Sequence, residues 1–202
     1  MSVPVGVLIS GSGTNLQALL DFCEREEASA HIAVVISNRR DAYGLERAKA
    51  KGIPAIWVSH RKRSREDFEQ ELLDILQKNN VEWVLLAGFM RVLTSTFLSV
   101  YSDRVLNIHP SLLPAFPGIN AQQQALTYGV KQTGATVHFV DTGMDTGPII
   151  LQESVPVDDD DDIESLKAKI LSVEHQLFPR ALQLAAQGRL QIQNRRVLIV
   201  DP

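Results

Sequence analysis

The chain has 202 residues, a hydrophobic share of 45% and a formal net charge of -4. That length suits one domain with a real core, and the acidic balance argues against a nucleic-acid partner. The single cysteine, Cys23, excludes an intramolecular disulfide, and no apolar run approaches the ~18 residues of a membrane span. Nothing in the first residues resembles a secretion signal, so the expectation is a soluble cytoplasmic protein with no membrane partner.

In chain order, β-branched runs alternate with helical patterns. Strands are expected over residues 3–9, 32–36, 55–58, 81–87 and 105–108, and helices over 16–26, 43–51, 65–78 and 94–101. Leu72, Leu73 and Leu76 supply an apolar stripe in the third helix, and Ser64 with Asp67 resembles an N-terminal cap. Alternating β and α units imply an α/β fold with an open, mostly parallel, Rossmann-like twisted sheet and helices on both faces. Beyond Gly118 the pattern changes. Strands over 136–140 and 149–155 should pair antiparallel across a Gly- and Asp-rich loop. A long helix over 163–187 follows, with Pro179 a candidate interruption, and a hairpin of 190–193 and 197–200 turns at Asn194-Arg195. The acidic run 158–162 reads as a solvated turn whose last Asp caps that helix, rather than as a metal site. With no internal repeat and no linker, residues 1–202 are expected to be one domain.

Two segments carry chemistry. Ser10-Gly-Ser-Gly-Thr-Asn-Leu16 follows the first strand and opens the first helix. Glycines let the backbone approach an anion, and free N–H groups at a helix start point at it. A dinucleotide would need a small residue where Leu16 stands and an acid after the second strand, where the chain reads Ser37-Asn-Arg-Arg40. A single phosphate is the better ligand, and a plain strand-to-helix turn is the alternative. The second segment is Val105-Leu-Asn-Ile-His-Pro-Ser-Leu-Leu-Pro-Ala-Phe-Pro-Gly118. Asn107 and His109 fall two apart on a strand, on one face, before a proline-stiffened exit loop. An amide donor and a general acid/base so held suit acyl or formyl transfer. The plainer reading of either His109 or Asp145, which precedes Thr-Gly-Pro, is structural. His138 alternates with Val137 and Phe139 on a strand, which points to packing.

These motifs, with Asn38-Arg-Arg-Asp-Ala-Tyr-Gly-Leu-Glu-Arg47, Leu86-Ala-Gly-Phe-Met-Arg91 and Asp145-Thr-Gly-Pro-Ile149, resemble the phosphoribosylglycinamide formyltransferases over nearly the whole chain. The resemblance implies transfer of the formyl group of 10-formyltetrahydrofolate to a phosphoribosyl glycinamide amine in purine synthesis, through a tetrahedral intermediate. It implies Asn107, His109 and Asp145 as the catalytic set. Gly13, Thr14 and Asn15 would hold the acceptor phosphate, and Glu174 its ribose. Arg65, Met90, Arg91, Val92, Leu93, Asn107, Val140, Asp141 and Met144 would line the folate site. Small-molecule substrates, no metal, and a monomer or homodimer are implied as well. The chain departs from the family pattern at Leu171, where some members carry a polar residue near the phosphate, and in 118–124, which lacks a frequent His or Arg. The rival readings are a formyltetrahydrofolate hydrolase, a formyltransferase acting on another amine such as that of a charged tRNA, and a non-catalytic nucleotide-binding module.

Overall fold

The computed structural model describes residues 2–201, in two compact units, one ending at Asn107 and the other beginning at Ile108. In the first unit β1 (Val3–Ile9) and β2 (Ala30–Ser37) have side chains almost wholly buried toward their C-terminal halves. Strands covered on both faces read as continuous Val/Ile/Leu runs, as these do. With β3 (Ala55–Trp57), β4 (Trp83–Leu86) and β5 (Val105–His109) they run in the order β3-β2-β1-β4-β5, every neighbouring pair parallel. The connecting helices are α1 (Thr14–Cys23), α2 (Gly44–Ala50), α3 (Arg65–Lys78) and α4 (Ser95–Val100). Leu16, Leu19, Leu72 and Leu76 from α1 and α3 are fully buried and form the core with Val7, Leu8 and Leu85.

Helix starts follow the chemistry read from the sequence. Ser64 accepts the Asp67 N–H at 3.0 Å and opens α3 at Arg65, so the expected cap is present. The strand order reverses between β1 and β4. Crossover connections leave those two strands in opposite directions and open a crevice at their C-terminal ends, where ligands of open α/β sheets bind. The Gly-rich loop leaves β1 at that crevice, and residues 88–94 leave β4 there.

The second unit holds α5 (Ala121–Tyr128), β6 (Gln132–Phe139), β7 (Ile149–Pro156), α6 (Ile163–Ala186), β8 (Leu190–Gln193) and β9 (Arg196–Ile199). β6 and β7 pair antiparallel, as do β8 and β9, and β7 meets β9 in parallel through Ile149 and Arg196. The α/β class, the parallel sheet, the antiparallel C-terminal strands and the long helix are those expected. Two details differ. The Gln-rich segment after Asn120 forms α5, which was not expected; only Ala121 and Ala125 of it are buried. α6 runs through Pro179 without interruption. Pro179, like Leu177, Phe178 and Leu182, is buried on α6, so burial of the helix outweighs the one hydrogen bond a proline removes. Asp162 caps α6 in a capping box with Ser165, as the acidic run suggested.

One hydroxyl makes three of the bonds that fix the loop between His109 and α5 to this unit. Thr136 on β6 is fully buried. Its Oγ1 donates to the Ser111 carbonyl at 2.7 Å, accepts the Leu113 N–H at 3.1 Å and accepts the Gln152 side-chain amide at 2.9 Å. Thr136→Val keeps the volume and strands buried donors and an acceptor, at roughly 1–3 kcal/mol each if left unmade. The expected outcome in urea titration is a loss of about 3 kcal/mol, against about 1 kcal/mol for the Ser64→Ala cap variant. Equal losses would show that Thr136 does not anchor the loop.

Candidate active site

In the first unit, Gly13 caps α1 in a left-handed conformation with φ 71°. A Cβ there would lie 2.7 Å from the Cα of Gly44, so both glycines are needed for α2 to pack against the loop. The Gly44 N–H donates to the Gly11 carbonyl at 3.1 Å. Arg47 was part of a motif but carried no assigned role. Its Nε–H donates to the Ser12 carbonyl at 2.9 Å, its Nη1 donates to Gln17 Oε1 at 3.1 Å, and the guanidinium lies over the Tyr43 ring at 5.0 Å. Gly13, Thr14 and Asn15 therefore sit together on a loop buttressed from behind, at the positive end of α1.

Residues 90–93 follow β4. The Met90 N–H donates to Ser10 Oγ at 2.8 Å, and that hydroxyl donates to Asn38 Oδ1 at 2.7 Å. The first residue of the Gly-rich loop thus fixes the start of the second loop. Its far end is held by Glu69 of α3. That buried carboxylate accepts the Thr94 N–H at 3.0 and 3.2 Å and also the Thr94 hydroxyl. Between these ties, Met90 is 67% exposed and Val92 43%, whereas Leu93 is 4% exposed. Of the expected apolar floor, Met90 and Val92 are exposed, whereas the Leu93 side chain belongs to the core. Arg91 is half-buried and Arg65 is exposed at the first position of α3.

Asn107 and His109 share β5, with Asn107 half-buried and His109 4% exposed. In the second unit the structure brings His109 and Asp145 together. His109 Nε2–H donates to the Phe116 carbonyl at 2.9 Å, and Nδ1 faces Asp145 Oδ2 at 3.4 Å. The same carboxylate oxygen accepts the Gly118 N–H at 2.7 Å. His138, read from sequence as a packing residue, turns its Nε2 toward Asp145 Oδ1 at 3.7 Å while Nδ1–H donates to the Phe139 carbonyl at 2.8 Å. Strand alternation correctly put His138 inside but carried no signal of the carboxylate across the turn. Asp141 accepts the Gly143 N–H at 3.1 Å and the Thr146 hydroxyl at 2.6 Å, so it organises its own loop. Val140 is half-buried, Met144 exposed, and Glu174 buried on α6.

Burial pushes the Asp145 carboxyl up, but the His138 hydrogen bond, the Gly118 N–H and the two nearby rings outweigh it, and the group stays below the usual carboxylate range. His109 differs from the sequence expectation. Asp145 and the Phe116 carbonyl do favour its imidazolium, yet burial is the larger effect, and with the His138 ring it holds His109 below the ordinary histidine value. Both shifts act on stability with one sign. The folded state prefers a neutral His109 and an ionised Asp145. Their contribution is complete above about pH 6.5, the unfolded histidine value, and falls as the more basic unfolded groups take up protons. The melting temperature should therefore drop as pH falls from about 6.5, first through His109 and then, below about pH 4, through Asp145. In His109→Asn the first part of that drop should shrink; an unchanged pH profile would contradict the assignment. Among the described residues, no group of three or more His, Cys, Asp and Glu side chains is placed to hold a metal ion, and no helix is long and apolar enough to cross a membrane.

Against this geometry, the similarities are specific. The formyl transferase family matches residues 4–182. The phosphoribosylglycinamide formyltransferase of Escherichia coli strain K12 is 42% identical over 187 residues, 92% of this chain and 88% of that protein. The human trifunctional purine biosynthetic protein adenosine-3 is 46% identical over 93% of this chain, which spans only 19% of that longer protein. The crystal structure of glycinamide ribonucleotide transformylase 1 from Symbiobacterium toebii superposes with a TM-score of 0.97 at 52% identity, covering 99% of this chain and 95% of that one. A parallel sheet with its loops tied at the reversal of strand order, a His109–Asp145 pair, and likeness along the whole length agree, and the chain belongs to the formyl transferase family, among the phosphoribosylglycinamide formyltransferases.

Proposed function

We propose that this chain is one formyltransferase domain over residues 1–202, moving the formyl group of 10-formyltetrahydrofolate to the amine of phosphoribosylglycinamide. The observation that carries the chemistry is the His109 ring, held between the Phe116 carbonyl and the Asp145 carboxylate. Both ring nitrogens face acceptors. Burial keeps the ring neutral at rest, while its neighbours are arranged to stabilise it once it gains a proton. A group so poised takes up a proton as charge develops and returns it afterwards.

The attacking amine adds to the formyl carbon, and negative charge gathers on the formyl oxygen. The Asn107 amide is the donor assigned to that oxygen, worth several kcal/mol when preorganised in a dry site, and the His109 ring, once protonated, stabilises it by its positive charge. The proton lost by the amine passes, directly or through a water, by way of Asp145 to Nδ1 of the ring, and Asp145 supports the charged ring until that proton leaves. The leaving nitrogen of the folate takes up that proton as the tetrahedral intermediate collapses. No covalent enzyme intermediate is needed. Gly13, Thr14 and Asn15 hold the acceptor phosphate and Glu174 its ribose. Arg65, Met90, Arg91, Val92, Leu93, Val140, Asp141 and Met144 serve the folate, Leu93 through its backbone. The protein works in the cytoplasm, as a monomer or a homodimer.

Three measurements test this reading. The purified chain should consume 10-formyltetrahydrofolate only when phosphoribosylglycinamide is present; consumption without acceptor would make it a hydrolase. Asn15→Ala should raise the acceptor KM about tenfold, the scale of one lost hydrogen bond to a charged group, with the folate KM unchanged. A shift in the folate KM instead would reverse the two site assignments. Asp145→Asn should lower kcat by about two orders of magnitude or more, the scale of a lost oxyanion donor, with small changes in both KM values. The same variant should lower the His109 pKa further in an NMR titration of the ring, because a raising influence is gone. Equal His109 pKa values with retained activity would return Asp145 to a turn residue.

A further inference from the structure

The last hairpin of the chain has no part in the roles assigned above, and it lies beyond residue 182, where the family match ends. β8 and β9 turn at Asn194, whose backbone is left-handed at φ 57°, and this puts Arg195 at the tip. Both ends of the hairpin are fixed. At the open end, Arg189 Nε–H donates to the Val200 carbonyl at 2.8 Å, and the Val200 N–H donates to the Arg189 carbonyl at 2.9 Å. Near the tip, Arg196 is in register with Ile149, the first residue of β7. Ile149 comes just after the loop that carries Asp145, so the tip is brought alongside that loop. Arg195 makes the contact: its Nη2–H donates to the Thr146 carbonyl at 2.9 Å.

Thr146 directly follows Asp145, and it is gripped twice. Its hydroxyl donates to Asp141 Oδ1 at 2.6 Å, within the loop, and its carbonyl accepts from Arg195, outside the loop. Asp145 itself is left-handed at φ 55°, a conformation that a non-glycine residue leaves unless the chain beside it is held. The carboxylate depends on that conformation. One oxygen lies 2.7 Å from the Gly118 nitrogen and 3.4 Å from His109 Nδ1, and the other lies 3.7 Å from His138 Nε2. Rotation of the backbone at Asp145 toward an ordinary conformation swings the carboxylate away from these partners. We infer that Arg195 is a positioning residue for the formyl transfer: it pins the Thr146 carbonyl, keeps Asp145 left-handed and so aims the carboxylate at the His109 ring. The C-terminal hairpin is thereby part of the catalytic apparatus. This rests on the proposed roles of His109 and Asp145 and deepens them. A guanidinium suits the task, because a charged donor binds a carbonyl more strongly than a neutral one and its planar fork is rigid.

The test uses Arg195→Met, which keeps an unbranched stem and removes the donor, alone and in the Asp145→Asn background. Arg196→Met is the control for a charge lost from the same hairpin. Both residues are exposed, so neither variant threatens the fold. Arg195→Met should lower kcat about threefold to tenfold, the scale of one net hydrogen bond, with the acceptor KM unchanged. Arg196→Met should keep the wild-type kcat. In the Asp145→Asn background, Arg195→Met should change kcat by less than about twofold, because Arg195 acts through that carboxylate. An NMR titration of the His109 ring should give a lower pKa in Arg195→Met than in the wild type, the direction expected of Asp145→Asn, since a carboxylate no longer aimed at the ring favours its imidazolium less. Additive losses in the double variant, an equal loss in Arg196→Met, or a wild-type His109 pKa in Arg195→Met overturns the inference. An Asp145→Asn variant as active as the wild type would instead overturn the catalytic reading of Asp145, and the titration, which needs no substrate, still decides whether Arg195 aims the carboxylate.

Discussion

The Asp145 carboxylate is the point on which the second unit's chemistry turns. Its backbone is left-handed, at φ 55°, which a non-glycine residue adopts only where the surroundings hold it. They do so on each side. The Gly118 N–H donates to one oxygen, which the His109 ring also faces, and the His138 ring faces the other. Tightness of the loop makes this possible: a Cβ on Gly147 would lie 1.8 Å from the Phe139 carbonyl, so only glycine lets the chain double back against the end of β6. The strand that carries His138 and the loop that carries Asp145 are thereby closed onto each other.

Burial sets how that carboxylate and His109 share charge. Were the pair exposed, the carboxylate would draw the ring toward imidazolium. Removed from water, the ring loses more by ionising than its two acceptors return. The resting site therefore keeps an ionised carboxylate beside a neutral imidazole whose polar neighbours are already oriented for the charged form. Such preorganisation is useful in acyl transfer, because the protein does not have to reorient when charge moves.

The first unit solves a different problem, that of holding two loops in fixed relation at one crevice. Ser10 belongs to one loop and bonds the backbone of the other, and Asn38 orients its hydroxyl. Glu69 clamps the far end of the second loop, and Arg47 supports the first from behind. Each tie joins residues remote in sequence to a backbone group, so the loops are positioned by the parallel sheet rather than by their own composition. Side chains left uncommitted between the ties, Met90 and Val92 among them, are the ones free to meet a ligand. The family's chemistry is thus carried by loops on a rigid frame.

The sequence by itself determined what is local in the chain. Apolar runs of period two and stripes of period 3.6 located all the strands and all helices but α5. Ser64 and Asp162 marked helix starts, and the turn at Asn194-Arg195 closed the last hairpin, because each of these signals acts over three or four residues. The His109 and Asp145 motifs were legible because the residue types and spacings are rare together. Only the tertiary structure decided the rest. α5 was missed because two alanines are all it buries and Asn120 gives it no side-chain cap, so neither period nor cap was there to read. Pro179 stays helical on the buried face of α6, along with Phe178 and Leu182. Leu93 turns inward while Met90 and Val92 do not, and His138 meets a carboxylate seven residues on across a glycine turn. The direction of the His109 shift was likewise beyond the sequence. A carboxylate partner can be guessed from a motif, but how much water is removed from a ring depends on which distant segments pack over it.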